Sequence, residues 1–263
     1  MNNIQKLFNA STVDLARLKE IEAIKDPRSR YVLAITPRSG SSYLCDVMRH
    51  TKRLGIPQEV IDVGGIKLRL ATMSGRTPEE YLRNVLRVQQ SENGVSGTKA
   101  SWFQWQQFQN SVSDKSIFKG LHYIYLTRRD LAEQAVSLYK ATETTVFHTA
   151  KQHDESVMNK LKQLEYDYSK IKYWYEHITA QERGWQQYFY QHNIFPLCIY
   201  YEDLEADLLS VLKRIAIYVG VQPNNVFLPK KESVYHKIGD DRNAQWARQF
   251  ALEQSGLQLK TVE

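Results

Sequence analysis

The sequence predicts an α/β fold in which a central parallel sheet is flanked by helices, with one or two further helices inserted. Three observations support this prediction. Short β-branched and aromatic runs alternate with segments of helical periodicity, an order typical of parallel strands joined by helices. The composition, with 42% hydrophobic and 24% charged residues, is that of a globular protein. The length of 263 residues fits one domain, so we expect residues 1–263 to form a single domain.

Capping residues and periodicity indicate the elements of the amino-terminal half. Ser11 and Asp14 are placed as a capping box for an amphipathic helix that ends near Pro27. A later helix begins with Thr77 as its cap and Pro78 at its first position. The elements predicted here are a helix over 11–26, a strand over 31–36, a loop over 36–42, a helix over 42–50 and a helix over 77–91.

The carboxyl-terminal half repeats the order of strand and helix. Residues 154–192 are polar, rich in Tyr and Trp, and show helical spacing without a strand signal, so we interpret them as one or two inserted helices. The aromatic residues between Tyr139 and Tyr190 either pack these helices or form a homodimer contact, and both alternatives stay open. The other elements predicted here are strands over 94–101, 121–127 and 196–201, and helices over 130–143 and 204–219.

Composition and charge exclude several classes of protein. Apolar runs fall far short of the roughly 18 to 20 residues that a bilayer requires, so no transmembrane segment is predicted. The first residues lack the basic start and apolar stretch of a secretory signal, which favours the cytoplasm. The net charge of +6 favours an anionic ligand without indicating nucleic acid. We interpret Cys45 and Cys198 as buried apolar residues, and the histidines match no metal motif, so no metal is expected.

The most informative segment is the loop Thr36-Pro-Arg-Ser-Gly-Ser-Ser42, which follows a buried-looking strand and precedes a helix. Backbone N–H groups in such a loop, together with those at the start of a helix, form a concave anion-binding site. Arg38 adds a fixed positive charge. The loop is not a Walker A motif, because Ser41 and Ser42 follow Gly40 where that motif requires a lysine. The alternative interpretation is an ordinary Ser/Gly turn that caps a helix.

A second basic motif, Arg128-Arg129-Asp130, stands at the end of the third predicted strand. Open α/β sheets bind ligands at the carboxyl ends of their strands, so these arginines predict a second anion-binding position. Ser137, two turns into the following helix, is placed to face the same edge. The alternative is an N-capping Asp130 beside solvated arginines. Together the two motifs predict a site for a ligand with two separate anionic groups.

Both motifs resemble those of the bacterial trehalose sulfotransferase family, whose donor is 3′-phosphoadenosine 5′-phosphosulfate (PAPS). The resemblance rests on TPRSGSSYLCD at residues 36–46 and LTRRDLAEQAVSL at residues 126–138, with a weaker similarity in IYYEDL at residues 199–204. It implies a P-loop-like sulfotransferase fold, a carbohydrate or glycolipid acceptor, and catalysis without a metal.

The resemblance also implies roles in binding the donor. The loop from Arg38 to Ser42 binds the 5′-phosphosulfate, and Arg38 occupies the place of a lysine that stabilises the leaving phosphate in related cytosolic sulfotransferases. Arg129 and Ser137 bind the 3′-phosphate, and the segment at Lys237 resembles a basic loop that closes over it. The predicted donor-binding residues are Arg38, Ser39, Gly40, Ser41, Ser42, Arg129, Ser137 and Lys237.

A third set of residues concerns the acceptor. Its hydroxyl must lose a proton as the new S–O bond forms, which calls for a general base. The resemblance assigns that role to Glu59 in GIPQE, residues 55–59; the alternative is a surface glutamate in a loop. Lys99 and Trp102 resemble an acceptor-side segment of the family, and Trp102 is placed to stack on a sugar ring. A position in the core is the alternative for this tryptophan.

The sequence therefore predicts a PAPS-dependent carbohydrate sulfotransferase with Glu59 and Arg38 as catalytic residues and Glu59, Lys99 and Trp102 as acceptor-binding residues. One rival is a P-loop-type kinase, which the missing lysine and magnesium ligands disfavour. Another is a non-catalytic module that binds a nucleotide or a glycan. Glu59 distinguishes this module from an enzyme, because a binding protein needs no base. The identity of the sugar stays open, because acceptor pockets are built from variable loops.

Overall fold

The centre of the protein is one parallel sheet of four strands in the order β2-β1-β3-β4, which confirms the predicted fold class. The structure, a computed structural model, describes residues 3–147, 155–235 and 241–256. The strands are β1 Ser29–Ile35, β2 Val95–Ser101, β3 Leu121–Thr127 and β4 Leu197–Tyr200.

The strand register brings two connecting loops to the same edge of the sheet. Ile35, the last residue of β1, lies opposite Ser101 of β2 and Leu126 of β3. From β1 the chain continues to β2 on one side, and from β3 it continues to β4 on the other. The crevice between the carboxyl ends of β1 and β3 is therefore a switch point, where open α/β sheets bind their ligands.

The described residues contain twelve α-helices, which pack on the sheet and on one another. Residues 154–192, predicted as inserted helices, contain α8 and the long helix α9. Every helix in the described ranges is too short or too polar to cross a bilayer. The helices are α1 Asn3–Ala10, α2 Leu15–Glu22, α3 Ser41–His50, α4 Val63–Met73, α5 Pro78–Val88, α6 Trp102–Gln109, α7 Leu131–Thr144, α8 Glu155–Gln163, α9 Tyr168–Gln191, α10 Tyr201–Ala206, α11 Leu208–Tyr218 and α12 Asp241–Gln254.

Alternating residues of β1 supply apolar side chains to both faces of the sheet. Val32 and Ala34 pack into one cluster with Trp105 and Trp185, and Leu33 packs into the opposite cluster, which holds α3 and α11. A third cluster joins α7, α9 and α12. Many of the aromatic residues of the inserted region belong to these clusters, so these residues pack the helices, which was one of the two alternatives.

Two predictions about local structure are wrong. The second helix begins at Leu15 with Asp14 as its cap, because the Ser11 hydroxyl donates instead to Leu7 O at the end of α1. Cys45 is buried as predicted, but Cys198 is exposed because it lies on β4, an edge strand of the sheet.

Candidate active site

The loop after β1 turns sharply into α3. Arg38 and Gly40 both have left-handed backbone conformations, with φ of 64° and 80°. A Cβ atom at Gly40 would lie 2.5 Å from the ring of Tyr201, so both the conformation and the space require glycine. The buried amide of Gln134 on α7 fixes the start of the loop, since its Nε2 donates to Thr36 Oγ1 at 2.8 Å and to Pro37 O at 2.6 Å.

Arg38 joins the first loop to the second motif. Its Nε donates to Ser137 Oγ at 3.1 Å, and its Nη1 donates to Phe147 O. Burial lowers the pKa of the Arg38 guanidinium, and the neighbouring charge of Arg128 lowers it further. Arg38 stays a cation at neutral pH, but two positive charges held together favour an anion between them.

The structure separates the two consecutive arginines after β3. Arg128 is buried, stacks over the ring of Tyr201 and donates from Nη2 to Glu133 Oε2 at 2.8 Å. Its Nε is buried and has no hydrogen-bond partner among the described residues. The side chain of Arg129 is 53% exposed and donates to Asp203 at 2.7 Å. Arg128, which the resemblance did not select, therefore lines the same cavity as Ser137, whereas Arg129 is paired with Asp203.

The segment that contains Glu59 runs beside the end of β2. Gln58 O accepts hydrogen bonds from Lys99 N at 3.0 Å and from Thr98 Oγ1 at 3.1 Å. The buried ammonium of Lys99 lies 3.5 Å from Glu59 Oε1 and 3.4 Å from Ser42 Oγ. Lys99 thus connects the predicted base to the first loop, and the Glu59 side chain remains 43% exposed.

These groups line one cavity of about 610 Å³ at the carboxyl edge of the sheet. Among the described residues, its basic side chains are Arg38, Lys99 and Arg128. The wall also includes carboxylates and aromatic rings. The other lining residues are Ile35, Pro37, Gly40, Ser41, Ser42, Tyr43, Glu59, Glu133, Ser137, Leu138, Phe147, Tyr201, Leu204, Glu205, Tyr235 and Asn243.

Three of the predicted site residues that the structure describes do not line this cavity. Ser39 is buried beneath the loop, and its hydroxyl has no hydrogen-bond partner in the described part of the chain. Arg129 faces Asp203, as described above. Trp102 packs edge to face against Trp185, with ring centroids 5.4 Å apart, and so joins the core. Lys237 lies outside the described residues.

The comparisons with known proteins agree with this arrangement. A family model described as Stf0 sulphotransferase matches residues 30–253. The chain belongs to the Stf0 sulphotransferase family. The match extends from β1 almost to the end of α12, so it includes every element that lines the cavity.

Two curated relatives resemble this Stf0 sulphotransferase over most of its length. A protein named trehalose 2-sulfotransferase from Mycobacterium tuberculosis is 25% identical over 272 residues, which cover 88% of this chain and 97% of the relative. A second protein of that name, from Mycolicibacterium smegmatis, is 24% identical over 276 residues, covering 90% and 100% of the two chains. The resemblance to the bacterial trehalose sulfotransferases is therefore confirmed at the level of the family.

Sequence reasoning missed several residues of the site. Gln134 precedes Ser137 by three positions, so helical spacing places both residues on one face of α7. This spacing would have indicated Gln134 as a residue of the site. Tyr201 lies in the weak motif at residues 199–204, and the resemblance of this motif implies no role for it. No local signal marks Tyr235, which reaches the cavity from a distant irregular segment.

Proposed function

We propose that this Stf0 sulphotransferase transfers a sulfuryl group from PAPS to a hydroxyl of a carbohydrate or glycolipid. The observation that carries the proposal is the convergence of three basic side chains from three strand ends on one cavity, with a carboxylate at its margin. Lys99 beside Ser42 and Arg128 beside Glu133 place positive charge at two parts of the cavity wall, which suits a donor with a phosphosulfate at one end and a phosphate at the other. The names of the curated relatives support a sugar acceptor.

The residues of the cavity fit such a donor. The loop from Arg38 to Ser42 is suited to the phosphosulfate, because its small residues let oxygen atoms approach the backbone amides. Arg128 and Ser137 are suited to the 3′-phosphate. We favour Arg128 over Arg129, because Arg128 lies in the cavity wall, whereas Arg129 lies outside it and is paired with Asp203. Ser39 then acts through the loop backbone, and Lys237 stays a prediction.

Sulfuryl transfer requires the protein to align donor and acceptor and to stabilise charge on the leaving group, and it requires no covalent catalysis. The acceptor oxygen forms a bond to sulfur as the bond from sulfur to the bridging phosphate oxygen breaks in line. Arg38, Lys99 and the loop amides stabilise the negative charge that the leaving phosphate gains. The Glu59 carboxylate accepts the proton of the acceptor hydroxyl. The products are a sulfated sugar and adenosine 3′,5′-bisphosphate, and no step uses a metal.

Turnover with sulfur-labelled PAPS tests the proposal. The purified chain is incubated with a panel of free sugars and glycolipid extracts, and the label is followed into the acceptor. Incorporation that depends on a sugar supports the proposal, and no incorporation from any acceptor contradicts it. Calorimetry with adenosine 3′,5′-bisphosphate, compared with ATP and Mg²⁺, separates a sulfotransferase from a kinase, because a kinase would bind the second nucleotide more tightly.

A further inference from the structure

An irregular segment, residues 226–235, carries Tyr235 into the wall of the cavity. Val226 is buried, but Phe227, Leu228 and Val234 are exposed, so apolar packing holds little of the segment in place. Tyr235 nevertheless lines the same cavity as Arg38 and Ser137. Polar contacts beside this aromatic ring therefore contribute to its position.

One hydroxyl connects this segment to α3. Ser233 Oγ donates to Asp46 Oδ2 at 2.8 Å and accepts from the backbone N–H of Tyr235 at 3.1 Å. Because these two bonds share one oxygen atom, the backbone of Tyr235 is linked to the Asp46 carboxylate through Ser233. The link spans 187 residues of sequence and fixes the segment against the helix that begins at the first loop.

The carboxylate at the other end of this link is firmly held. Asp46 is 5% exposed, and it also accepts a hydrogen bond from Arg49 Nη2 at 2.8 Å. Burial would raise the pKa of the Asp46 carboxyl, but the hydrogen bonds from Ser233 and Arg49 and the charge of His50 outweigh burial and hold this pKa below its usual value. Asp46 is therefore a fixed anchor, since a buried carboxylate with these partners is costly to release.

We propose that Asp46 and Ser233 are positioning residues that hold Tyr235 as a wall of the nucleotide site and so set the affinity for the donor. The inference rests on the proposed function. The basic side chains take the anionic groups of the nucleotide, so the aromatic ring of Tyr235 packs against its uncharged part. Loss of the Ser233 hydroxyl removes one of the contacts that position the backbone beneath the ring. The nucleotide must then order this part of the wall as it binds, at a cost in affinity.

The test compares serine variants by calorimetry with adenosine 3′,5′-bisphosphate. We expect Ser233→Ala to raise the Kd by about 2- to 10-fold, the range that follows from loss of a typical hydrogen bond. Ser233→Thr keeps the hydroxyl and should restore most of the affinity. Ser116→Ala is the matched control, because the Ser116 hydroxyl also donates to a carboxylate, Asp114 Oδ2 at 2.8 Å, and does not line the cavity.

A double-mutant cycle shows whether Ser233 acts through Tyr235. In a Tyr235→Ala background, Ser233→Ala should change the Kd no further, because the ring that it positions is absent. An undiminished effect in that background would overturn the proposal. So would a Ser233→Ala variant with a lower melting temperature and an unchanged Kd, which indicates a structural role alone.

The wild-type titration separates failure of this inference from failure of the proposed function. If the unmodified chain does not bind adenosine 3′,5′-bisphosphate, the proposed function fails and the inference fails with it. If the unmodified chain binds but Ser233→Ala binds equally well, the proposed function stands and only the inference is overturned.

Discussion

Replacing Arg128 with alanine tests which of two consecutive arginines binds the second anionic group of the donor. Arg128 is buried in the cavity wall, whereas the Arg129 side chain is 53% exposed and paired with Asp203. We expect Arg128→Ala to weaken binding of adenosine 3′,5′-bisphosphate strongly. Arg129→Ala, the matched control, should leave this binding nearly unchanged.

The expected loss follows from the contacts of the Arg128 guanidinium. Its Nη2 is paired with Glu133, and the residue lines the cavity, so a phosphate that contacts the guanidinium from the cavity adds a charge-assisted bond. Such a bond contributes about 1.5 to 3 kcal/mol, or about 10- to 150-fold in Kd. Arg129 interacts with Asp203 outside the cavity, so its loss should change the Kd by less than about threefold.

Calorimetry with two nucleotides shows which phosphate is involved. The loss in Arg128→Ala should be large for adenosine 3′,5′-bisphosphate and small for adenosine 5′-monophosphate, because the latter lacks the 3′-phosphate. Adding Glu133→Gln removes the carboxylate that Arg128→Ala leaves unpaired, so the remaining loss reports the phosphate contact. A larger loss for Arg129→Ala than for Arg128→Ala, or equal losses for both nucleotides in Arg128→Ala, would refute the reasoning.

Three further variants test the catalytic groups and the loop. Glu59→Gln should reduce turnover by about 10²- to 10⁴-fold while leaving bisphosphate binding unchanged, and near-normal turnover would remove Glu59 from the mechanism. Arg38→Ala should reduce turnover by about 10²- to 10³-fold. Its role is contradicted if circular dichroism shows that the variant is folded and the variant keeps more than about a tenth of wild-type turnover. Gly40→Ala places a Cβ 2.5 Å from the Tyr201 ring at a φ of 80°. It should lower the melting temperature by about 2 to 8 °C, and an unchanged value in a thermal scan would contradict the local geometry.

Hydrophobic pattern and capping predicted the sheet better than they predicted the helices. The buried β1 and β3 have the continuous apolar runs that parallel strands require, and both were predicted close to their bounds. The helix Val63–Met73 was missed because Gly64 and Gly65 in its first turn are poor helix formers. The Asp62 cap and the burial of Ile66 in the core both stabilise it. Helices such as this one depend on tertiary contacts that a local pattern does not contain.

The sequence predicted the site residues that stand at the ends of strands. It did not predict which residues face the cavity where loop geometry determines their orientation. The carboxyl ends of parallel strands lie at one edge of a sheet, so a shared edge for Arg38 and Ser137 followed from the fold class, whereas their direct contact depends on the order of the strands. Which of two consecutive arginines faces the cavity depends on the turn after Thr127, which the sequence does not specify. Trp102 lies in the core because the missing side chain at Gly184 leaves room for its indole, a contact between distant segments.

The most direct test of the central claim is a crystal structure of the chain with adenosine 3′,5′-bisphosphate. We predict that the 5′-phosphate lies against the loop from Arg38 to Ser42 and that the 3′-phosphate lies against Arg128 and Ser137. The side of the 5′-phosphate that carries the sulfuryl group in the donor should face Glu59. A nucleotide bound outside this cavity, or bound within it with its two phosphates exchanged, would contradict the account.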